Sequence, residues 1–132
     1  MASFKVMAGG TEYTIHGLDK LELWEQYTGW IEDTRRTRIC RGVNEKDREA
    51  VRQRERGLDL LAEDKAEGKL DYSGQYFLAA FNTDEGFRKA LEICVDAKDK
   101  AAAVAAMDAD KSLEKTLYRQ FAEASGFFVG PE

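Results

Sequence analysis

Proline is almost missing from this chain: the only one is Pro131, beside the last residue. Nothing in the interior therefore forbids long helices, since proline breaks them by removing a backbone donor and clashing with the preceding turn. Cysteine and histidine are as scarce. Cys40 and Cys94 lie far apart and in no metal-like spacing, and His16 is the sole histidine. Free, partly buried thiols are expected in preference to a disulfide. No apolar run approaches the length of a membrane span, and the N-terminus lacks a charged stretch followed by an apolar one. These absences predict a soluble, unsecreted protein of the cytoplasm, with no membrane partner.

What is present points to a folded domain. The chain has 132 residues, 43% hydrophobic and 34% charged, enough for one buried core. Its net charge of −5 disfavours a general affinity for nucleic acid or acidic membranes.

Residues 4–15, FKVMAGGTEYTI, raise the first choice, between a phosphate-binding loop and a turn. Folding about Gly9-Gly10 pairs Ala8 with Thr11, Val6 with Tyr13 and Phe4 with Ile15. Phe4, Val6, Tyr13 and Ile15 then share one face, and Lys5, Glu12 and Thr14 the other. A half-buried hairpin needs this alternation, and two glycines supply the positive φ angles of a type I′ turn. Neither the Walker spacing nor Gly-x-Gly-x-x-Gly is present, so the glycines are read as a turn.

Helical periodicity fills the rest. Leu18, Leu21, Trp24, Tyr27, Trp30 and Ile31 predict an amphipathic helix from about Asp19 into an arginine-rich stretch, stopped at Gly42. Asn44 is expected to cap a second helix over about 44–67, with a narrow apolar stripe interrupted at Gly57. Tyr76, Phe77, Ala80 and Phe81 predict a short helix. After a new start at 82–85, Phe87, Ala90, Leu91 and Cys94 predict another, with Ile93 and Val95 widening its face. Ala101–Met107 reads as a short helix of small residues. Asp108 or Asp110 is expected to cap a last one, stopped by Ser125-Gly126. The predicted fold is mainly α: an N-terminal β-hairpin followed by a bundle of five or six helices. One domain is expected over 1–132: hairpin at 1–17, two longer helices at 18–67 with a basic segment at 35–56, a short-helix bundle at 70–126, and a tail at 127–132.

Signs of catalysis are few. Asp108-Ala109-Asp110 resembles the start of an EF-hand loop, but Leu113 and Arg119 stand where glycine and glutamate are required. Ser73-Gly74 lacks the preceding Gly-x of a nucleophile elbow. No catalytic, metal or cofactor residue is assigned.

Arginine is distributed unevenly. Eight of the ten lie between Arg35 and Arg56. With Lys46 and four acids, that segment carries +5 in a chain of −5, which leaves −10 elsewhere. Clustered guanidiniums bind phosphates and carboxylates bidentately, which makes the segment a candidate anion or partner surface. The alternative is a solvated helical surface laced with pairs such as Glu45–Arg48 and Glu49–Arg52. No aromatics interleave to form a stacking platform, so a protein partner is favoured over nucleic acid. Self-association, basic segment on acidic body, is also open. Arg35, Arg36, Arg38, Arg41, Arg48 and Arg52 are the candidate contacts, with Phe127 and Phe128, which either tuck into the core or offer an apolar contact.

The two ends carry a resemblance. FKVMAGGTEYTIHGLDKLELWE (4–25) resembles the opening of tail assembly chaperones of long-tailed bacteriophages: a short hairpin, then a leucine-rich helix. LEKTLYRQFAEASGFFVGPE (113–132) is similar to their final helix, and AAFNTDEGFRKALEICVDA (79–97) to their middle helices. The segment from Arg35 to Arg56 departs from that pattern. The resemblance implies a non-enzymatic helper, encoded by a phage or prophage and working in the host cytoplasm. It would bind the tape-measure protein and help recruit tail-tube subunits. A small phage-encoded inhibitor of a host or defence protein, and an anion- or nucleic-acid-binding module using Arg35–Arg56, are the alternatives.

Overall fold

The computed structural model describes residues 3–127. It is mainly α, 65% helical, with an N-terminal antiparallel hairpin followed by six helices. Strands β1 (Ser3–Ala8) and β2 (Thr11–His16) pair in the expected register, Phe4 opposite Ile15 and Ala8 opposite Thr11. Gly9 and Gly10 take φ of 58° and 80°, the conformation a type I′ turn demands. Val6, Ala8 and Ile15 face inward and are buried, while Lys5 and Glu12 pair on the outer face.

Helices α1 (Leu21–Cys40) and α2 (Arg48–Ala66) follow. The second starts later than predicted. Asp47, whose carboxylate accepts from the amides of Glu49 and Ala50, is its cap. Asn44 instead accepts from the Lys46 amide within the connecting loop. Both side chains can satisfy orphan amides, and the chain turns between them, so the first such residue is not the cap. Gly57 has a packing role: a Cβ there would sit 2.9 Å from Ile39 Cγ2, so the missing side chain lets α2 close on α1. The seam is locked by Glu32–Lys65 at 3.0 Å and Arg35–Asp64 at 3.1 Å.

Next come α3 (Gln75–Phe81), α4 (Asp84–Cys94), α5 (Lys100–Ala109) and α6 (Glu114–Ala124). Thr83 caps α4 and Asp99 caps α5. Asp110 caps a 3-10 turn, Lys111–Leu113, that leads into α6. The sequence pattern placed Val95 on the face of α4; it belongs instead to β3 (Val95–Asp96), which pairs antiparallel with Thr14 and Ile15 of β2. Lys100 makes the exit workable, since its Nζ donates to the carbonyls of Ile93 and Val95 at 3.3 and 2.8 Å. Those carbonyls lie where a helix end leaves acceptors without intrahelical donors.

The hairpin and last helix close on one another. The Leu18 amide donates to the buried Ser125 Oγ at 2.9 Å, and the Phe4 and Phe121 rings pack at 6.2 Å. Gly126 (φ 78°) ends α6 in a Schellman motif: its amide donates to Glu123 O, and that of Phe127 to Ala122 O. Beneath lies a core of interlocking rings, with Tyr27 on Phe77 at 5.1 Å and Phe81 on Phe121 at 5.3 Å. Among the described residues no helix is long and apolar enough to cross a membrane.

Candidate partner-binding surface

The arginines that cluster in sequence separate in space. Arg36 sits on the α1–α2 seam, held by Glu32 and by Asp33 at 3.3 Å. The hydrogen bond from Arg36, and then that from Lys65, hold the Glu32 carboxyl below its ordinary range. Arg54 is gripped by Glu45 across the connecting loop, so the partner expected for Glu45, Arg48, is displaced by a residue nine positions away. Arg52 meets Glu49 at 3.4 Å, as the helical spacing suggested, but in full solvent. Arg48 and Arg52 together line one shallow depression on α2. Much of the basic segment thus fits the reading of a surface laced with pairs.

Three arginines behave differently. Arg35 and Arg38 on α1, and Arg41 at its C-cap, recur every three residues; Arg35 and Arg38 border one depression and Arg38 and Arg41 an adjoining one, the two sharing Thr34, Arg38 and Glu85. The deeper is a cavity of about 260 Å³ between α1 and α3, with walls from Trp30, Ile31, Tyr76, Ala79 and Ala80. Arg35 stands at its edge with its guanidinium carbon 4.2 Å from the Tyr76 ring centre, a cation–π distance. Its Nη2 reaches Asp64, which also takes Lys69 at 3.5 Å. Its Nη1 is buried and meets no acceptor among the described residues.

Among the described residues Arg38 has only Glu85, at 3.7 Å, and both side chains are about two-thirds exposed. A pair so exposed contributes little, because water screens it and two long side chains must be held still. Arg41 is exposed and has no ion-pair partner among the described residues. At Thr83 the groove adjoins a wider depression of about 810 Å³ bordered by Phe81, Phe87 and Tyr118. The combined surface has an apolar floor and a mixed rim, on which Arg35, Arg38 and Arg41 stand with Asp33, Asp84, Glu85 and Glu114.

Phe127 tucks inward. Its ring packs 5.0 Å from Phe81, 6.0 Å from Phe77 and 5.9 Å from Tyr72, where the Schellman turn aims it. Of its two expected roles the structure gives it the core one. Phe128 lies outside the described residues. His16 is half-buried at the end of β2, paired across the strands with Ser3. Asp84, Asp108, Asp110 and Glu114 surround a depression of about 160 Å³, but Arg88 and Lys111 stand among them, and Arg88 binds Asp108 at 3.5 Å.

Sequence reasoning missed the other half of the groove. Trp30 and Ile31 read as core positions of α1, and Tyr76 and Ala80 as core positions of α3. The available signal was the three-residue recurrence of Arg35, Arg38 and Arg41 beside the Trp30–Ile31–Thr34 stripe, which puts cation and apolar side chain on adjoining faces. The chain matches no family model, no curated protein and no solved structure.

Proposed function

We propose that this chain is a tail assembly chaperone of a phage or prophage, which binds a tape-measure-like protein during morphogenesis without catalysing a reaction. One observation carries the reading. The two segments that resemble such chaperones, 4–25 and 113–132, lie far apart in sequence, and their described parts, 4–25 and 113–127, meet in one body, joined by Leu18 to Ser125 and Phe4 to Phe121. Segments that fold against each other are a more coherent basis for a resemblance than two unconnected patterns.

The surface suits the role. A tape-measure protein is long and helical, and its apolar stripes need cover before the tube forms around it. A groove with an apolar floor and charged rim accepts an amphipathic helix, while the surrounding charge keeps the carrier soluble. The work is done in the host-cell cytoplasm. The ion pairs that occupy Arg36 and Arg54 weaken the nucleic-acid alternative, since guanidiniums already holding carboxylates are poor phosphate ligands.

Co-expression with the tape-measure protein that this reading expects to be encoded beside the gene tests the proposal. The tape-measure product is expected to move from the insoluble to the soluble fraction and to be captured with the tagged chain. If its solubility is the same with and without the chain, and nothing is captured, the reading is wrong.

A further inference from the structure

We infer that the groove between α1 and α3, bordered by Arg35 and Arg38 and continued by the adjoining depression at Arg41, is a docking site for an acidic amphipathic helix, whose carboxylates engage the arginines while its apolar side chains fill the floor. The inference rests on the reading that the chain works by holding a protein partner, and it names that partner's chemistry.

Four observations favour this occupant. The cations run from the last turns of α1 to the residue that caps it: Arg35 to Arg41 spans about 9 Å at the helical rise, the reach of side chains at i, i+4 and i+7 on a partner helix. The cations are under-used. Arg38 has one weak, solvated partner, and Arg41 none among the described residues. Arg35 keeps a buried Nη1 that meets no acceptor among the described residues, a costly state. The floor is apolar and partly made of small side chains, Ala79 and Ala80, with Trp30 and Tyr76 as flat walls, so a helix can approach closely.

Charge also argues against the rival occupants. A lysine-rich helix would face three guanidiniums. Asp33 and Glu85 on the same rim repel any anion, but a nucleic-acid strand carries a charge at every nucleotide, whereas a helix can confine its carboxylates to positions beside Arg38 and Arg41. A partner carboxylate has only to displace Glu85 from Arg38, at little cost because that pair is solvated. Arginine suits the task because its planar fork holds a carboxylate through two parallel hydrogen bonds.

The test uses two amidated peptides of about 18 residues with the same leucine stripe, one flanked by glutamates at i, i+4 and i+7 and the other by lysines at those places. Binding is read from the fluorescence of Trp30 in a Trp24→Phe background, with backbone amide shifts as a second readout. The glutamate peptide is expected to bind and the lysine peptide not. The double variant Arg38→Glu/Arg41→Glu should lose affinity by about tenfold or more, while Arg48→Glu/Arg52→Glu, with the same charge change on α2, should stay within about twofold. Circular dichroism should be unchanged in both, because all four side chains are exposed. Equal binding of the two peptides, equal losses in the two double variants, or no binding of the glutamate peptide at low salt overturns the inference. So does a dimer of the chain that excludes the peptide, or an oligonucleotide that competes with it at equal charge. The outcomes remain separate from the chaperone reading. If Arg38→Glu/Arg41→Glu still captures the tape-measure product, the groove is wrong and the chaperone stands. If the glutamate peptide binds but no tape-measure product is captured, the reverse holds.

Discussion

Gly29 and Gly86 are both helical glycines, yet a methyl group has opposite consequences at each. At Gly29 in α1 an added Cβ would meet nothing within 4 Å. At Gly86 it would run into the Ala80 carbonyl oxygen at the tight α3–α4 junction, beside the Thr83 hydroxyl that caps α4. The Gly86 carbonyl also accepts the buried Tyr27 hydroxyl at 2.9 Å, so the junction cannot relax without disturbing the core. Gly29→Ala should stabilise by about 0.5–1 kcal/mol, through lower backbone entropy in the unfolded chain. Gly86→Ala should destabilise by about 1–3 kcal/mol through overpacking. Urea titration of both variants checks this, and equal effects of the same sign would contradict the packing described. Nothing in sequence distinguishes the two glycines, because the obstacle at Gly86 is a carbonyl belonging to the preceding helix.

At the scale of elements, caps and register decide most outcomes. Asp47 rather than Asn44 holds the start of α2, so Asp47→Ala should cost about 1 kcal/mol and Asn44→Ala clearly less. Thermal melts of the two variants, followed at the helical signal, give the comparison. A larger loss at Asn44 would mean that α2 starts where the sequence pattern placed it. The hairpin register was legible because period-two alternation and a two-residue glycine turn admit only one pairing that keeps Val6 and Ile15 on a common face. Strand β3 was not legible. Two residues are too few to show alternation, and Val95 continues the apolar run of α4 until the chain leaves the helix and meets Thr14 and Ile15. Its pairing joins the end of α4 to the hairpin.

The whole molecule adds electrostatic effects that no single element has. Burial pushes the Cys94 thiol up to about 12 from an ordinary 9.0, against the opposing pull of the Lys100 ammonium. Burial likewise raises Tyr27 above its ordinary 10.0. The folded chain therefore keeps these protons where the unfolded chain releases them, and the unfolded state binds fewer protons. The associated stability is fully present below about pH 9 and falls as pH rises toward 12, by at most about 1.4 kcal/mol per pH unit for each group. Denaturant midpoints should drop between pH 8 and 10.5, and less steeply in Cys94→Ala, whose lower baseline stability does not alter the slope. Identical slopes in the two proteins would mean that the thiol does not stay protonated in the fold.

The sequence by itself determined the helical class, the hairpin and its register, and the concentration of arginine between 35 and 56. These follow from near-neighbour physics: side-chain period, turn chemistry and charge counting. Only the tertiary structure decided which arginines are held by acids and which border the groove, because Asp64, Glu85 and Tyr76 lie 29 to 47 positions from the cations they face. It also decided that Phe127 turns inward, since the rings that receive it belong to α3 and the loop before it. Local pattern specifies which face of an element is apolar, whereas packing specifies what that face meets.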